Sequence, residues 1–245
     1  MNMELKEIRY KDSRLKILTD KEEYMDVAVE ELQKQRGLIE EYILKHKEFL
    51  SSLKPVKVKD APEIVRLMAQ GAKIANVGPM AAVAGTLAEF CVRKMMKHGA
   101  KTALVENGGD VFAYTSIPLH IGIYAGYTKL ADKLALRLDP ENTPLSICSS
   151  SKLGHSLSFG NCDLASVFSK KSYVADAVAT AVANRVKEEN DIEPTLKWAL
   201  KLKDVIGVLI VKDDKVGIMG DTQKLVSNKD AALKEKVTKE PIYKL

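Results

Sequence analysis

Cysteine is scarce in this chain. Three occur in 245 residues, Cys91, Cys148 and Cys162, and no two form a Cys-x-x-Cys pair. That count excludes a disulfide framework and the common thiolate zinc modules, and it suits a reducing compartment. Aromatic residues are also few, at 6%, so the core must be built from Val, Leu, Ile, Ala and Met. No uninterrupted apolar run reaches about 18 residues, the length a membrane-spanning helix needs. The opening segment MNMELKEIRYKD lacks the apolar stretch of a secretion signal. Together these shortages point to a cytoplasmic protein with no membrane partner. Charge of one sign is not concentrated either: 38 Lys and Arg stand against 33 Asp and Glu, for a net charge of +5. The densest basic stretch, KHKEFLSSLKPVKVK, interleaves Leu and Val rather than aromatics. A nucleic-acid partner needs a clustered basic footprint and is not expected.

What is present is enough apolar residue, 46%, to bury a sizeable core. ELKEIRY and RLKILT alternate polar and apolar residues around KDS, the pattern of a β-hairpin. Asp20 followed by Glu23 has the spacing of a capping box, and a long charged helix runs from there toward Leu53. APEIVRLMAQGAKIA is a second helix. Gly78-Pro79 opens a third, small-residue-rich in its first turns (Ala81, Ala82, Ala84, Gly85), and His98-Gly99 ends it. Small residues there let the backbone approach something closely. Short β segments follow (KTALVE, VFAYTS, LHIGIYAG, KLALRLD, LSICSSS, LASVFS), then a helix over 172–187 capped by Ser172. A helix from Pro194 to about Lys203 and a hairpin turning at Asp213-Asp214 complete the pattern. Strands come in runs with helices between the runs, which predicts an α+β fold of mainly antiparallel sheets flanked by helices. Two such passes hint at an internally duplicated architecture. The expected organisation is one domain over 1–220 with a polar tail over 221–245, partly disordered.

Three segments carry candidate chemistry. In KSYVADAVATAVANRV, Asp176, Thr180 and Asn184 recur at every fourth position and share one helix face, among Ala and Val that imply burial. A buried carboxylate is costly unless something compensates it. A hard cation such as Mg²⁺ is one solution, with carboxylate, hydroxyl and carbonyl oxygens as ligands. Backbone N–H groups or a buried Lys or Arg are another. The second segment is ENGGD, where Gly108, Gly109 and Asp110 follow a strand. Such a turn can offer N–H groups to a phosphate or ring, or be a plain hairpin turn. The third, SICSSSKLGHSLSFGNCD, gathers Cys148, Ser149, Ser150, Ser151, His155 and Cys162. Its hydroxyls and lone His suit anion contacts, while its spacing matches no standard zinc pattern.

In order and spacing these segments resemble the ApbE-like proteins, the FAD:protein FMN transferases, over about residues 75 to 186. GPMAAVAGTLAE resembles the family's glycine-rich helix, LVENGGDVF its GGD turn, and CSSSKLGHS its Ser-rich loop and following His. The most specific match is ASVFSKKSYVADAVAT, against the family's strand and A-D-A-x-A-T metal helix. The resemblance implies Mg²⁺ at Asp176 and Thr180. It implies flavin or nucleotide contacts at Gly85, Glu89, Gly108, Gly109, Asp110, Ser149 and Ser150, with FAD as cofactor. It also implies His155 as the group that takes a proton when a Thr or Ser hydroxyl of a protein acceptor receives FMN and AMP leaves. The sequence departs from the family pattern at Ala84, where the family has Lys, and at Glu89, where it has Asp. HSLSFGNCD is a shortened form of the family's H-x-x-D-P-x-T-G segment. These departures fit the compact cytosolic branch of archaea and anaerobic bacteria. That branch is linked with sulfide assimilation into homocysteine, which makes a working thiol at Cys148 or Cys162 an alternative. A binding protein without catalysis is a second alternative. The small-residue helices would also allow a homodimer.

Overall fold

The computed structural model describes residues 3–123, 134–152 and 160–227. The chain opens with strands β1 (Glu4–Tyr10) and β2 (Ser13–Thr19), then helices α1 (Glu23–Lys45), α2 (Lys47–Ser51) and α3 (Glu63–Ala75). A 3₁₀ turn at Pro79–Ala82 leads into α4 (Val83–Lys97). Strands β3 (Ala103–Asn107), β4 (Asp110–Tyr114), β5 (Leu119–Ile123), β6 (Leu134–Leu138), β7 (Leu145–Ser150) and β8 (Leu164–Ser169) follow. Then come α5 (Ser172–Arg185), α6 (Ile192–Ala199), β9 (Gly207–Lys212), β10 (Lys215–Gly220) and β11 (Lys224–Ser227).

The α+β reading with antiparallel sheets holds. Eight strands form one sheet in the order β1-β2-β3-β4-β7-β8-β9-β10, and three form a second in the order β11-β6-β5. All pairings within both sheets are antiparallel. Lys224–Ser227, at the start of the segment expected to be a polar tail, pairs with β6.

Strand alternation sorts the large sheet into two faces. Val208 and Ile210 of β9 join the helix-side core with α1, α3, α4 and α5, while Leu209 and Val211 join Leu136 and Leu138 of the small sheet. The large sheet is therefore sandwiched between helices and a second sheet. Burial on both faces explains why GVLIVK is an almost continuous apolar run rather than an alternating one. On β7 the same alternation turns Leu145 and Ile147 toward the small sheet and Cys148 toward the helices.

Three local expectations are corrected. Asp20 does not cap α1, whose first turn has no side-chain cap. Its carboxylate instead accepts the N–H groups of Lys101 and Thr102 at 3.1 Å each, joining the loop before α1 to the start of the β3 region. Ser172 is not the cap of α5 but its first residue, and its hydroxyl bonds Ser146. The helix expected from Pro194 to about Lys203 begins at Ile192 and ends at Ala199. For Asp20 and Ser172 a tertiary partner takes the side chain that carries the local capping signal. Among the described residues no single helix is long and apolar enough to cross a membrane.

Candidate functional site

α5 explains its own composition. Its residues from Ser172 to Ala183 are all buried, between α3, α4 and strands β7 and β8. Ala and Val are the side chains small enough to let a helix be enclosed on every side. Within that apolar cylinder Asp176 is 8% exposed. Its Oδ2 accepts the N–H of Gly85 at 2.8 Å. Gly85 lies in the first turn of α4, where backbone N–H groups have no partner inside their own helix. The helix dipole there favours a negative charge.

Gly85 must be glycine for this contact. A Cβ at that position would lie 2.8 Å from Cys148 Sγ and 3.0 Å from Asp176 Cβ. The small residues at the start of α4 thus serve close approach to α5 and β7. Asn107 Nδ2 donates to the carbonyl of Ala84 at 3.2 Å, tying the same turn to the end of β3.

A second carboxylate enters from the sheet. Phe112 of β4 packs in the helix-side core and Val111 in the other, so alternation turns Asp110 to the helix side. The register pairs Val111 with Ile147, which sets Asp110 beside Cys148 one step further on. Asp110 Oδ1 accepts the N–H of Ser149 at 3.1 Å. Burial is the main cause that pushes the Asp110 carboxyl up to about 7; the Ser149 N–H and the Cys148 thiol oppose it, and Glu106 adds to it. Asp176 is likewise held well above the usual carboxylate range, first by burial and then by the charge of Asp110, against the N–H groups of Gly85 and Ala84. Among the described residues neither carboxylate has a Lys or Arg partner.

Thr180 sits one turn beyond Asp176 on the same face, buried. Gly108 and Gly109 form the turn between β3 and β4 with φ of 63° and 99°, conformations that favour glycine. A Cβ at either would meet nothing within 4 Å, so the backbone of this turn is uncovered. Ser149 pairs its hydroxyl with Ser166 at 2.8 Å, and Ser150 is buried at the end of β7. Glu89 does not reach the Asp176 carboxylate: its Oε2 accepts the N–H of Ser172 at 2.7 Å and its Oε1 the Nε of Arg93 at 2.7 Å. His155 lies outside the described residues.

The structure therefore brings together Gly85, Asp110 and Asp176, with Gly109 next to Asp110 in sequence and Thr180 on the face of Asp176; Ser149 reaches them through its backbone N–H, while its hydroxyl is turned to Ser166 on the small-sheet side. It sets Glu89 one helical turn away. Sequence reasoning missed the place of Cys148, which lies against Gly85 between the two carboxylates. Period-two alternation on LSICSS was the signal that could have found it, because it puts Cys148 on the face opposite Ile147. The Cys148 thiol is pushed well above its ordinary value by burial, then by Asp110 and Asp176. Cys162 is pushed up to about 12, chiefly by burial. Both are resting thiols rather than thiolates.

The donor set fits a hard cation. Two buried carboxylates repel one another without a basic partner among the described residues, and a hydroxyl lies one turn away. No three His, Cys, Asp or Glu side chains among the described residues are arranged to hold a metal by themselves, so Thr180, backbone carbonyls or ligand oxygens would complete the shell. An open cleft of about 390 Å³ near Asn161, Lys187 and Asp213 is a separate feature. Lys212 at its wall is already paired with Asp213 at 2.6 Å.

A family model described as "AbpE bacteria" matches residues 3–214. The chain belongs to that family. The UPF0280 protein MJ1526 of Methanocaldococcus jannaschii is 42% identical over 228 residues, covering 90% of this chain and 92% of the relative. A UPF0280 protein of Archaeoglobus fulgidus is 41% identical over 222 residues, covering 89% of this chain and 92% of the relative. Among solved structures, the apo flavinyl transferase ApbE of Pseudomonas stutzeri superimposes with a TM-score of 0.59 at 10% identity, covering 90% of this chain and 95% of that one. The ApbE protein of Thermotoga maritima gives 0.57 at 10% identity, with 95% and 99% covered. At that identity the likeness establishes the ApbE fold, and the compact archaeal relatives establish the branch.

Proposed function

We propose that this chain binds a flavin or related nucleotide through its pyrophosphate, together with Mg²⁺, at the Asp176 site. The observation that carries the reading is the buried, mutually repelling pair Asp110 and Asp176, which has no positive partner among the described residues. Asp176, Asp110 and Thr180 are the residues that would hold the cation. When bound, Mg²⁺ supplies positive charge and Lewis acidity to a phosphoryl oxygen. The uncovered Gly108-Gly109 backbone would offer N–H groups to the nucleotide, and Ser150 and the backbone of Ser149 would border it. The burial that raises the two carboxyls would also exclude water from the phosphoryl group. If the protein transfers FMN to a hydroxyl of a protein acceptor, His155 is the residue we assign to receive the proton.

Binding without transfer is the second reading. It is favoured by Ala84, which leaves the start of α4 without a cationic side chain, and by Glu89, which is committed to Ser172 and Arg93. The third reading, a thiol that works on sulfide, loses support because burial keeps Cys148 and Cys162 protonated.

Calorimetry with FAD, with and without Mg²⁺, tests the proposal. Mg²⁺-dependent binding that disappears in Asp176→Ala is expected. FAD binding that is the same in Asp176→Ala and in the native chain would remove the site assignment.

A further inference from the structure

The first turn of α5 is poorly equipped by its own sequence. It contains no acidic residue, and the residue before it, Lys171, provides no side-chain cap. Lys170 and Lys171 put positive charge at the end of a helix that favours negative charge. Lys171 is drawn off by Asp204 at 2.8 Å. Ser172 itself is fully buried, so its N–H has no access to water.

That N–H is met by Glu89 Oε2 at 2.7 Å, across 83 residues of chain. Four residues before Glu89 on α4 is Gly85, and four residues after Ser172 on α5 is Asp176. The two helices are thus joined by two rungs about one helical turn apart. In one, a carboxylate of α5 accepts an N–H of α4; in the other, a carboxylate of α4 accepts an N–H of α5. The Ser172 hydroxyl continues the second rung by donating to Ser146 Oγ at 2.9 Å, and Ser146 Oγ lies 3.3 Å from Cys148 Sγ.

From this geometry we propose that Glu89 is the positioning residue of the Asp176 site. It holds the first turn of α5 against α4 and so sets the height at which Asp176 meets Gly85 and Asp110. The functional consequence rests on the cation reading above; the positioning itself does not. Arg93 pairs with the other carboxylate oxygen, Oε1, at 2.7 Å and is half exposed.

The test compares Glu89→Ala, Glu89→Gln and Glu89→Asp with the native full-length chain, using two readouts. The first is amide hydrogen exchange at Ser172 and Gly85 without metal, referenced to Ile210 of β9 to remove any global loss of stability. The second is Mn²⁺ affinity by electron paramagnetic resonance. In Glu89→Ala, exchange at both amides is expected to quicken at least tenfold relative to Ile210, and Mn²⁺ affinity to fall by about 10–100-fold, as for other residues that orient metal ligands. Glu89→Gln, which keeps an acceptor for Ser172, is expected to restore most of both. If Glu89→Ala does not fold, Glu89→Asp carries the test: the shorter side chain should quicken Gly85 exchange and weaken Mn²⁺. Unchanged Gly85 exchange in either variant, with only Ser172 affected, would overturn the proposal and leave Glu89 a simple cap. A native chain that takes up no Mn²⁺ would overturn the cation reading instead, while the Gly85 exchange still decides the role of Glu89.

Discussion

Asp176 and Glu89 make the same bond in different company. Each is a buried carboxylate that accepts a backbone N–H from the start of the opposite helix. Glu89 is also bonded by the guanidinium of Arg93, so its charge is neutralised and its contact is complete. Asp176 faces a second carboxylate, Asp110, and no cation among the described residues neutralises it. The difference teaches how one helix interface separates support from function. The neutralised rung holds the two helices together, and the rung without a positive partner keeps a carboxyl that favours its neutral form until a cation offsets its charge.

The largest expected effect comes from breaking both at their shared interface. Gly85→Ala would drive a Cβ into Cys148 and Asp176. We expect a loss of about 3 kcal/mol by urea unfolding, from overpacking, and no divalent-cation binding by calorimetry. A variant as stable as the native chain would mean that the interface is looser than the contacts imply.

Asp110→Asn sharpens the contrast by removing one of the two repelling charges while keeping an acceptor for the Ser149 N–H. At pH 8 the metal-free variant should be more stable than the native chain by about 2 kcal/mol, in the manner of other buried charges replaced by neutral groups, and its cation affinity should be lost. Equal stability at pH 8 would mean that Asp110 carries no unfavourable charge.

The native chain should show the burial of Asp110 as a pH dependence. The Asp110 carboxyl is at about 7 in the folded chain against an ordinary value of 3.8. Between those values the folded state binds the proton and the unfolded state does not, so this contribution is fully present below about 4 and is lost as pH rises through 7. Urea midpoints of the metal-free protein should fall over that window, and the fall should be reduced in Asp110→Asn. A midpoint that rises between pH 4 and 7 in the native chain but not in the variant would reverse the assignment.

The smallest effect is expected at the other rung. Arg93 is half exposed, so Arg93→Ala should cost no more than about 1 kcal/mol and leave cation affinity within twofold of native in a calorimetric titration. A large loss of affinity would erase the distinction between the two carboxylates.

Much of this arrangement was legible in the sequence, and the illegible part has a common cause. The alternation in SRLKILT, the Pro79 start, the Gly99 stop and the enclosed composition of SYVADAVATAVANR are local signals, and the elements follow them. The three segments singled out for chemistry meet through Asp176, Asp110 and Cys148, and Gly85 of α4 joins them. A working thiol at Cys148 or Cys162 is an alternative the sequence leaves open, but the state of the Cys148 thiol is set by neighbours on α4, α5 and β4. Ser172 and Asp20 carry local capping signals, yet each serves a partner distant in the chain.

The sequence by itself determined the elements, the α+β class, the buried character of α5 and the shared helix face of Asp176 and Thr180. These follow from the periods 2 and 3.6 and from the sizes of side chains, which do not depend on the rest of the chain. Only the tertiary structure decided what Asp176 faces. Its N–H partner is 91 residues away and its repelling neighbour is on another element. Once a charge is removed from water, the groups packed around it set its energy, and only the completed fold specifies those groups.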